Sequence, residues 1–236
     1  MNLHPSLEKA TAYLNLQFAN HGPGWSGQPE GPFVTLSRES GAGGSTLALA
    51  LAQQLNAEST DGARWSVYNR NLIETMLQVH HLSPGLARFL PEDRISEVNA
   101  SMGEILGLHP SLWELVQKTN ALMCQLAREG RVIFVGRGAN FATAAIAHGV
   151  HVRLIAPASH RARRMAQLHG LSEEAAAAYN ARQDAARQRY LQANFSAEAG
   201  DPTAYDLTIN TAQISLEEAA GMICQLVAAR TPVHAD

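Results

Sequence analysis

The chain has very few cysteines and no long apolar run. Its two cysteines, Cys124 and Cys224, lie a hundred residues apart in segments predicted to be helical. Two cysteines are too few for a disulfide framework, and we expect two thiols in a reducing cytoplasm. With 236 residues of which 46% are hydrophobic, the chain is long and apolar enough to bury a core without disulfides or a structural metal.

Membrane and export signals are also missing from the sequence. No window approaches the roughly 18 consecutive apolar residues that a membrane helix requires. Glu8 and Lys9 stand where a signal peptide would have its apolar run. We therefore expect a soluble, cytoplasmic protein with no membrane partner.

Charged residues make up only 17% of the chain, and the net charge is −3. The basic excess of a general nucleic-acid binder is therefore absent. The charges are unevenly distributed: residues 153–189 hold seven arginines and three acids, a balance of +4, while the remainder holds 11 basic and 18 acidic residues, or −7. One positive segment on an acidic body favours a compact ligand with several phosphates. The alternative is a solvated basic helix face.

Short apolar segments alternate with segments of helical periodicity. The predicted strands are residues 32–36, 65–68, 132–135, 150–156 and 205–210, and the predicted helices include 47–55, 112–128, 140–147, 159–169 and 172–195. A last helix begins after Ser215, where Glu218 completes a capping box. This alternation predicts an α/β fold, a parallel sheet with helices on both faces and ligands beyond the carboxyl ends of the strands.

The sequence also indicates how the chain is divided. Residues 1–31 read as an N-terminal helix and a Gly/Pro-rich linker, and residues 32–230 as the main domain. Three prolines between residues 80 and 110 predict several short helices there. The N-terminal helix could pack on the domain or mediate a dimer, so the oligomeric state stays open. His80 and His81 are adjacent, do not share a helix face and have no ligand-spaced partner, so we interpret them as a helix end.

A glycine-rich loop joins the first strand of the main domain to the next helix. Such a loop presents successive backbone N–H groups and a helix N-terminus to phosphate oxygens. The dinucleotide pattern fails because its third glycine would fall at Thr46. The mononucleotide pattern fits better, with Gly44 at the lysine position and Ser45 at the hydroxyl position. The candidate phosphate-binding residues are Ser40, Gly41, Ala42, Gly43, Gly44, Ser45 and Thr46; the alternative is a tight turn that only packs helix on sheet.

The loop has no lysine, and the chain has only two, Lys9 and Lys118. If the loop holds a reacting triphosphate, an arginine must supply the positive charge on the β- and γ-phosphates. Arg38, at the exit of the strand, is the first candidate. The carboxyl end of the third strand offers no carboxylate, so Mg²⁺ would be left with Glu39, Ser45, the nucleotide's own oxygens and water.

Taken together, these motifs resemble the cytidylate kinase-like proteins, a nucleoside monophosphate kinase branch of the P-loop fold. The resemblance extends from about Phe33 to Val227. Family members commonly read I-S-R-E followed by G-S-G-G-R, then Y-D-K-E-L-I, V-G-R-G-A-N, an R-x-D-x-x-R-like segment and Y-D-L-x-x-N-T. The corresponding segments here are 36–39, 41–45, 68–73, 135–140, Arg182–Asp184–Arg187 and 205–211. Ser45 and Asn69 depart from the family pattern.

The resemblance implies a P-loop sheet with a helical acceptor-binding insert at about 70–130 and an arginine-rich helical lid at about 160–195. It implies ATP as phosphoryl donor with Mg²⁺, and a pyrimidine nucleoside monophosphate such as CMP or dCMP as acceptor. Arg38, Arg182 and Arg187 would act on the transferring phosphoryl group. The residues on the acceptor side would be Arg137, Arg161, Arg164 and Asp184. For Arg161 and Arg164, pairing with lid acids is the alternative.

Two other functions remain compatible with the sequence. The missing lysine, Ser45 and Asn69 also suit a nucleotide-binding or sensing module that has lost its catalytic rate. Kinase chemistry on another small phosphorylated or hydroxylated acceptor is the third interpretation, because residues 80–110 carry no legible motif. Asp206, at the start of the last strand, could cap a turn or contact a nucleotide.

Overall fold

The structure is a computed structural model that describes residues 31–59, 62–69 and 112–232. The predicted N-terminal helix and linker, most of the expected insert and the His80–His81 pair lie outside the described residues. Along the described chain, no helix has both the length and the apolar character needed to cross a membrane. Cys124 and Cys224 are both free thiols.

Five parallel strands form one sheet, as the sequence predicted. They are β1 (Phe33–Arg38), β2 (Ser66–Tyr68), β3 (Val132–Val135), β4 (Gly149–Ile155) and β5 (Leu207–Asn210). Their order across the sheet is β2-β3-β1-β4-β5. The chain moves to one side of β1 for β2 and β3 and to the other side for β4 and β5. The connections that leave the neighbouring strands β1 and β3 therefore run in opposite directions, towards β2 and β4, and in open α/β sheets ligands bind at such a point.

Helices cover both faces of the sheet. The described helices are α1 (Gly44–Glu58), α2 (Leu112–Glu129), α3 (Ala139–Ala142), α4 (Ala158–His169), α5 (Glu173–Phe195) and α6 (Leu216–Arg230). On one face, Val34, Leu36 and Val152 pack with Leu51 of α1 and Ile223 of α6. This packing follows from strand alternation, because every second side chain points to the same face.

The opposite face is covered by α2 and the carboxyl half of α5. Phe33 and Phe134 pack there against Met123 of α2 and against Tyr190 and Leu191 of α5. Residues 112–129, which the sequence assigned to the end of the insert, thus contribute directly to the main core.

The arginine-rich segment forms a helical hairpin of α4 and α5. Gly170 ends α4 in the left-handed conformation, and the side chain of Ser172 accepts a hydrogen bond from the N–H of Ala175 to begin α5. The two helices pack along each other. The bounds of α4 and α5 agree with the predicted helices 159–169 and 172–195, because local residues in the turn end the first helix and begin the second.

Candidate functional site

The glycine loop connects β1 to α1 at the centre of the sheet. Gly41 has φ +84°, and a Cβ added there would lie 2.6 Å from the carbonyl oxygen of Arg161. Both the positive φ and this close approach require glycine. Within the loop, the N–H of Ala42 donates to the carbonyl of Glu39 at 3.1 Å. Ala42 is buried, so its amide stabilises the turn itself, in contrast to the predicted ligand contact.

Arg38 and Gly44 are packed against each other. A Cβ at Gly44 would lie 3.0 Å from Cγ and 3.3 Å from Cδ of Arg38. The aliphatic stem of Arg38 therefore runs alongside the position where a P-loop protein would carry its lysine. This placement supports the expectation that Arg38 supplies the missing positive charge.

Arg161 holds the loop from the side of α4. Its Nε donates to the carbonyl of Ala156 at 2.9 Å, and its Nη1 donates to the carbonyl of Ser40 at 2.9 Å. Its guanidinium also pairs with the carboxylates of Glu39 at 3.2 Å and Asp184 at 2.8 Å. Arg161 thus pairs with two acids and orders the loop. This corresponds to the alternative interpretation of Arg161, pairing with acids.

Glu39 has a structural contact of its own. Its Oε2 accepts the N–H of Ala156 at 3.0 Å in addition to the Arg161 pair. The carboxylate thus ties the loop to the end of β4. Ser45, in the first turn of α1, lines the open cleft beside the loop and is the candidate whose hydroxyl could reach a magnesium ion.

Asp184 of α5 links the hairpin of α4 and α5 to the loop. Its carboxylate accepts the N–H of Ser40 at 2.7 Å and the guanidinium groups of Arg161 at 2.8 Å and Arg187 at 3.0 Å. One acidic side chain therefore holds two arginines and the backbone of the loop in one arrangement.

A first pocket opens beside the glycine loop, and we call it the donor cleft after the phosphoryl donor that the sequence predicts there. Arg164 donates to Oγ1 of Thr46 at 2.9 Å, which places its guanidinium at the donor cleft, whereas the sequence assigned Arg164 to the acceptor side. The described residues that line the cleft are Arg38, Glu39, Ser40, Gly41, Gly43, Gly44, Ser45, Thr46, Arg164, Met165, Leu168, His169, Tyr179 and Arg187.

A second pocket lies at the carboxyl ends of β1, β3 and β4, and we call it the acceptor pocket after the acceptor that the sequence predicts. Arg137 lines it and has φ +62° between two glycines that also have positive φ. A non-glycine residue in the left-handed region costs on the order of 1–2 kcal/mol, and such strain is concentrated at functional sites. The pocket is lined by Ser37, Arg38, Glu39, Gly136, Arg137, Gly138, Asn140, Arg153, Asp184, Arg187, Gln188, Tyr190, Leu191, Ala199 and Gly200.

The structure brings Arg187 to both pockets but places Arg182 in neither. Five residues along a helix correspond to a rotation of about 140°, so the two arginines project from different faces of α5. Arg182 is exposed. Its predicted catalytic role is not supported by its position.

Arg153 is the site residue that the sequence did not single out. In the sequence, Arg153 counts only as part of a predicted strand and of the arginine-rich segment. The signal that could have identified it is a charged residue between the apolar Val152 and Leu154. Asp206 lies at the other end of the sheet, where it pairs with Arg230 at 2.6 Å and accepts the N–H of His151 at 2.7 Å. These contacts correspond to the structural interpretation of Asp206.

Comparison with known proteins identifies a family. The sequence model of the cytidylate kinase-like family matches residues 33–213 of this chain. A segment of 102 residues is 29% identical to the uronate isomerase of Corynebacterium glutamicum and covers 43% of this chain. This chain spans only 20% of the length of that protein.

The fold is shared with a solved structure. An uncharacterized protein from Eubacterium ventriosum aligns with a TM-score of 0.61 at 18% identity, over 84% of this chain and 99% of that one. A shikimate kinase from Bacteroides thetaiotaomicron aligns with a TM-score of 0.46 at 16% identity, over 84% of this chain and 98% of that one. Similarity at the latter level carries no conclusion about substrate.

Proposed function

Because this chain belongs to the cytidylate kinase-like family, we propose that it is a phosphotransferase. The reaction is transfer of the γ-phosphate of ATP to a pyrimidine nucleoside monophosphate such as CMP or dCMP. The fold is of the P-loop type, with a parallel sheet between two layers of helices.

One observation carries this proposal: the donor cleft and the acceptor pocket adjoin each other and share Arg38, Glu39 and Arg187. Phosphoryl transfer requires a donor and an acceptor oxygen held in line, with positive charge around the transferring group. Two adjoining pockets with arginines at their junction meet that requirement.

The chain's own groups then have defined tasks. The amides of Ser40 and Ala42 are bound within the protein, so the other amides of the glycine loop and the N-terminus of α1 bind phosphate oxygens of the donor. Arg38 and Arg187 neutralise charge at the junction, and Arg137 binds the phosphate of the acceptor. Magnesium, bound through Ser45 and the nucleotide's oxygens, would add charge neutralisation on the donor. Asp184 and Arg161 keep the loop and the lid in register.

The domain division belongs to the same proposal. The hairpin of α4 and α5 is the lid, and we assign residues of about 70–130 to the acceptor-binding insert, as the family resemblance implies. The proposed arrangement leaves residues 1–31 as a separate N-terminal segment.

A coupled assay with ATP and with CMP, dCMP and UMP tests the function. We expect turnover with at least one of these acceptors, and Arg137→Ala should lower kcat/KM for it by about 100-fold, the effect of removing a charged contact worth roughly 3 kcal/mol. Arg163→Ala is the matched control, because Arg163 is 62% exposed and lines neither pocket. Turnover unaffected by Arg137→Ala would remove the acceptor assignment.

A nucleotide-binding module without turnover is the second candidate. The observation that favours it is the donor cleft itself: Gly44 stands at the lysine position, and Glu39, the one acidic residue among the described residues that line the cleft, is already bound to Arg161 and Ala156. Calorimetric titration separates the candidates. Binding of an ATP analogue and of CMP without product formation would favour the module, whereas turnover of ATP with a different small acceptor would favour the third interpretation.

A further inference from the structure

Arg153 occupies an unusual position for a charged residue. It lies in β4, an interior strand paired with Ser37 of β1 on one side and Thr208 of β5 on the other. Interior strands of parallel sheets are covered on both faces and are apolar on both. In β4 only one face follows this rule, with Val150, Val152 and Leu154 in the core. The opposite face presents Arg153 to the acceptor pocket.

The contacts of Arg153 are all neutral among the described residues. Its Nη1 donates to Oγ of Ser37 at 3.2 Å, and its guanidinium carbon lies 5.7 Å from the ring centre of Tyr205. The hydroxyl of Tyr205 lies 3.3 Å from Oγ of Ser37 and 3.0 Å from the carbonyl of Ala199. Ser37 and Tyr205 thus fix the orientation of the arginine, and no carboxylate of the described chain pairs with it.

The two carboxylates of the acceptor pocket are bound to other arginines. Glu39 pairs with Arg161, and Asp184 pairs with Arg161 and Arg187. A partly buried guanidinium held by neutral groups gains from an anionic partner, which offsets its desolvation. A ligand of the pocket could provide that partner.

We propose that Arg153 binds the phosphate of the acceptor, so that the pocket selects phosphorylated acceptors over merely hydroxylated ones. This inference rests on the proposed function, because it identifies the substrate class of the same pocket. The planar fork of a guanidinium matches the oxygens of a phosphate in a bidentate arrangement. Arg137 approaches from the turn after β3 and Arg153 from β4, so that two strands on either side of β1 contribute to phosphate binding.

Calorimetric titration of Arg153 variants tests the proposal. The ligands are CMP, inorganic phosphate, cytidine and an ATP analogue, and the proteins are the wild type, Arg153→Gln, Arg153→Lys and the exposed control Arg163→Gln. We expect Arg153→Gln to weaken CMP and inorganic phosphate tenfold or more and to leave the ATP analogue within twofold. Arg153→Lys should recover part of the loss, and Arg163→Gln should bind as the wild type does.

Tyr205→Phe separates a binding role from a structural one. This variant keeps the ring beneath Arg153 but removes the hydroxyl contact with Ser37. Tyr205→Phe should bind CMP within a few-fold of the wild type. The KM for CMP should rise only in the variants in which Arg153 itself is changed. Loss of the ATP analogue and of CMP to the same extent in Arg153→Gln would mean that the residue only supports the fold, and would overturn the proposal.

The remaining outcomes distinguish this inference from the proposed function. Binding of CMP and phosphate by Arg153→Gln within twofold of the wild type overturns the inference, even if the wild type turns over CMP. Phosphate binding that depends on Arg153, without turnover of CMP, dCMP or UMP, supports the inference and contradicts the proposed acceptor. A wild type that binds neither CMP nor inorganic phosphate overturns the inference as well.

Discussion

Among single residues, Arg38 and Gly44 are packed against each other. The stem of Arg38 lies beside the space that a side chain at position 44 would fill, with its Cγ 3.0 Å from where a Cβ of residue 44 would be. A larger side chain at residue 44 would therefore have to displace the side chain of Arg38. If Arg38 supplies the positive charge that we propose, its packing against Gly44 explains why a lysine is absent there.

Gly44→Ala should weaken nucleotide binding without unfolding the protein. The added methyl group would displace the flexible side chain of Arg38, and we expect about a tenfold loss of affinity for an ATP analogue, equivalent to about 1.4 kcal/mol. Calorimetric titration and thermal melting together check this. Gly221→Ala in α6 is the control: no heavy atom lies within 4 Å of its added Cβ, so it should gain about 0.5–1 kcal/mol of stability. Unchanged ATP-analogue binding in Gly44→Ala would show that Arg38 does not act on the donor.

The roles of individual arginines were only partly predictable from the sequence. Arg137 and Arg187 line the pockets, and the roles that the sequence predicts for them stay predictions. The contacts of Arg161 with Ser40 and those of Arg153 with Ser37 join residues more than a hundred positions apart. Such contacts depend on which strands become neighbours, which local patterns do not specify.

At the scale of elements, β4, β5 and α6 are tied together at the end of the sheet opposite the pockets. The hydrogen bond from Arg230 holds the pKa of Asp206 below its ordinary value, although burial opposes this shift. Burial lowers the pKa of His151, whose Nδ1 lies 2.9 Å from Oγ1 of Thr35. Both groups bind protons more readily in the unfolded chain, so both contributions to stability are lost on acidification.

Asp206→Asn should reduce stability at neutral pH and have little effect in strong acid. The loss of two charge-assisted bonds to a partly exposed arginine should cost about 1 kcal/mol. This contribution is present above the ordinary carboxyl pKa of about 3.9 and disappears as the pH falls through the lower value of the folded state. Denaturant unfolding of both proteins across this range measures it, with Glu198→Gln as an exposed control. A difference between wild type and Asp206→Asn that persists unchanged in strong acid would contradict this account.

The bounds of most elements could be predicted because their signals are local. The capping box of Ser215 and Glu218 begins α6 as expected, and β3 matches its predicted range. The helix expected over 140–147 is shorter, since α3 ends at Ala142. Thr143 follows it and donates its hydroxyl to the carbonyl of Ala139 at 2.7 Å. A hydroxyl that bonds to the backbone in this way competes with continued helix.

For the whole molecule, the sheet order places every proposed ligand group at one edge. The glycine loop follows β1, Arg137 follows β3, and Arg153 lies in β4, so the three neighbouring strands at the centre converge on two adjoining pockets. Four of the seven arginines in the positive segment 153–189 each have a different position at the pockets or the loop. They are Arg153, Arg161, Arg164 and Arg187. The sequence indicated the positive charge of this segment, but which arginine contacts which group depends on the fold.

Binding of a bisubstrate compound, adenosine and cytidine joined through five phosphates, tests most directly whether the two pockets hold a donor and an acceptor at the same time. Once one nucleoside is bound, the other binds as an intramolecular event at high effective concentration. We expect the compound to bind at least about 100-fold more tightly than either an ATP analogue or CMP alone, and Arg187→Ala to reduce this gain because Arg187 lines both pockets. An affinity no greater than that of the tighter single nucleotide would contradict the account.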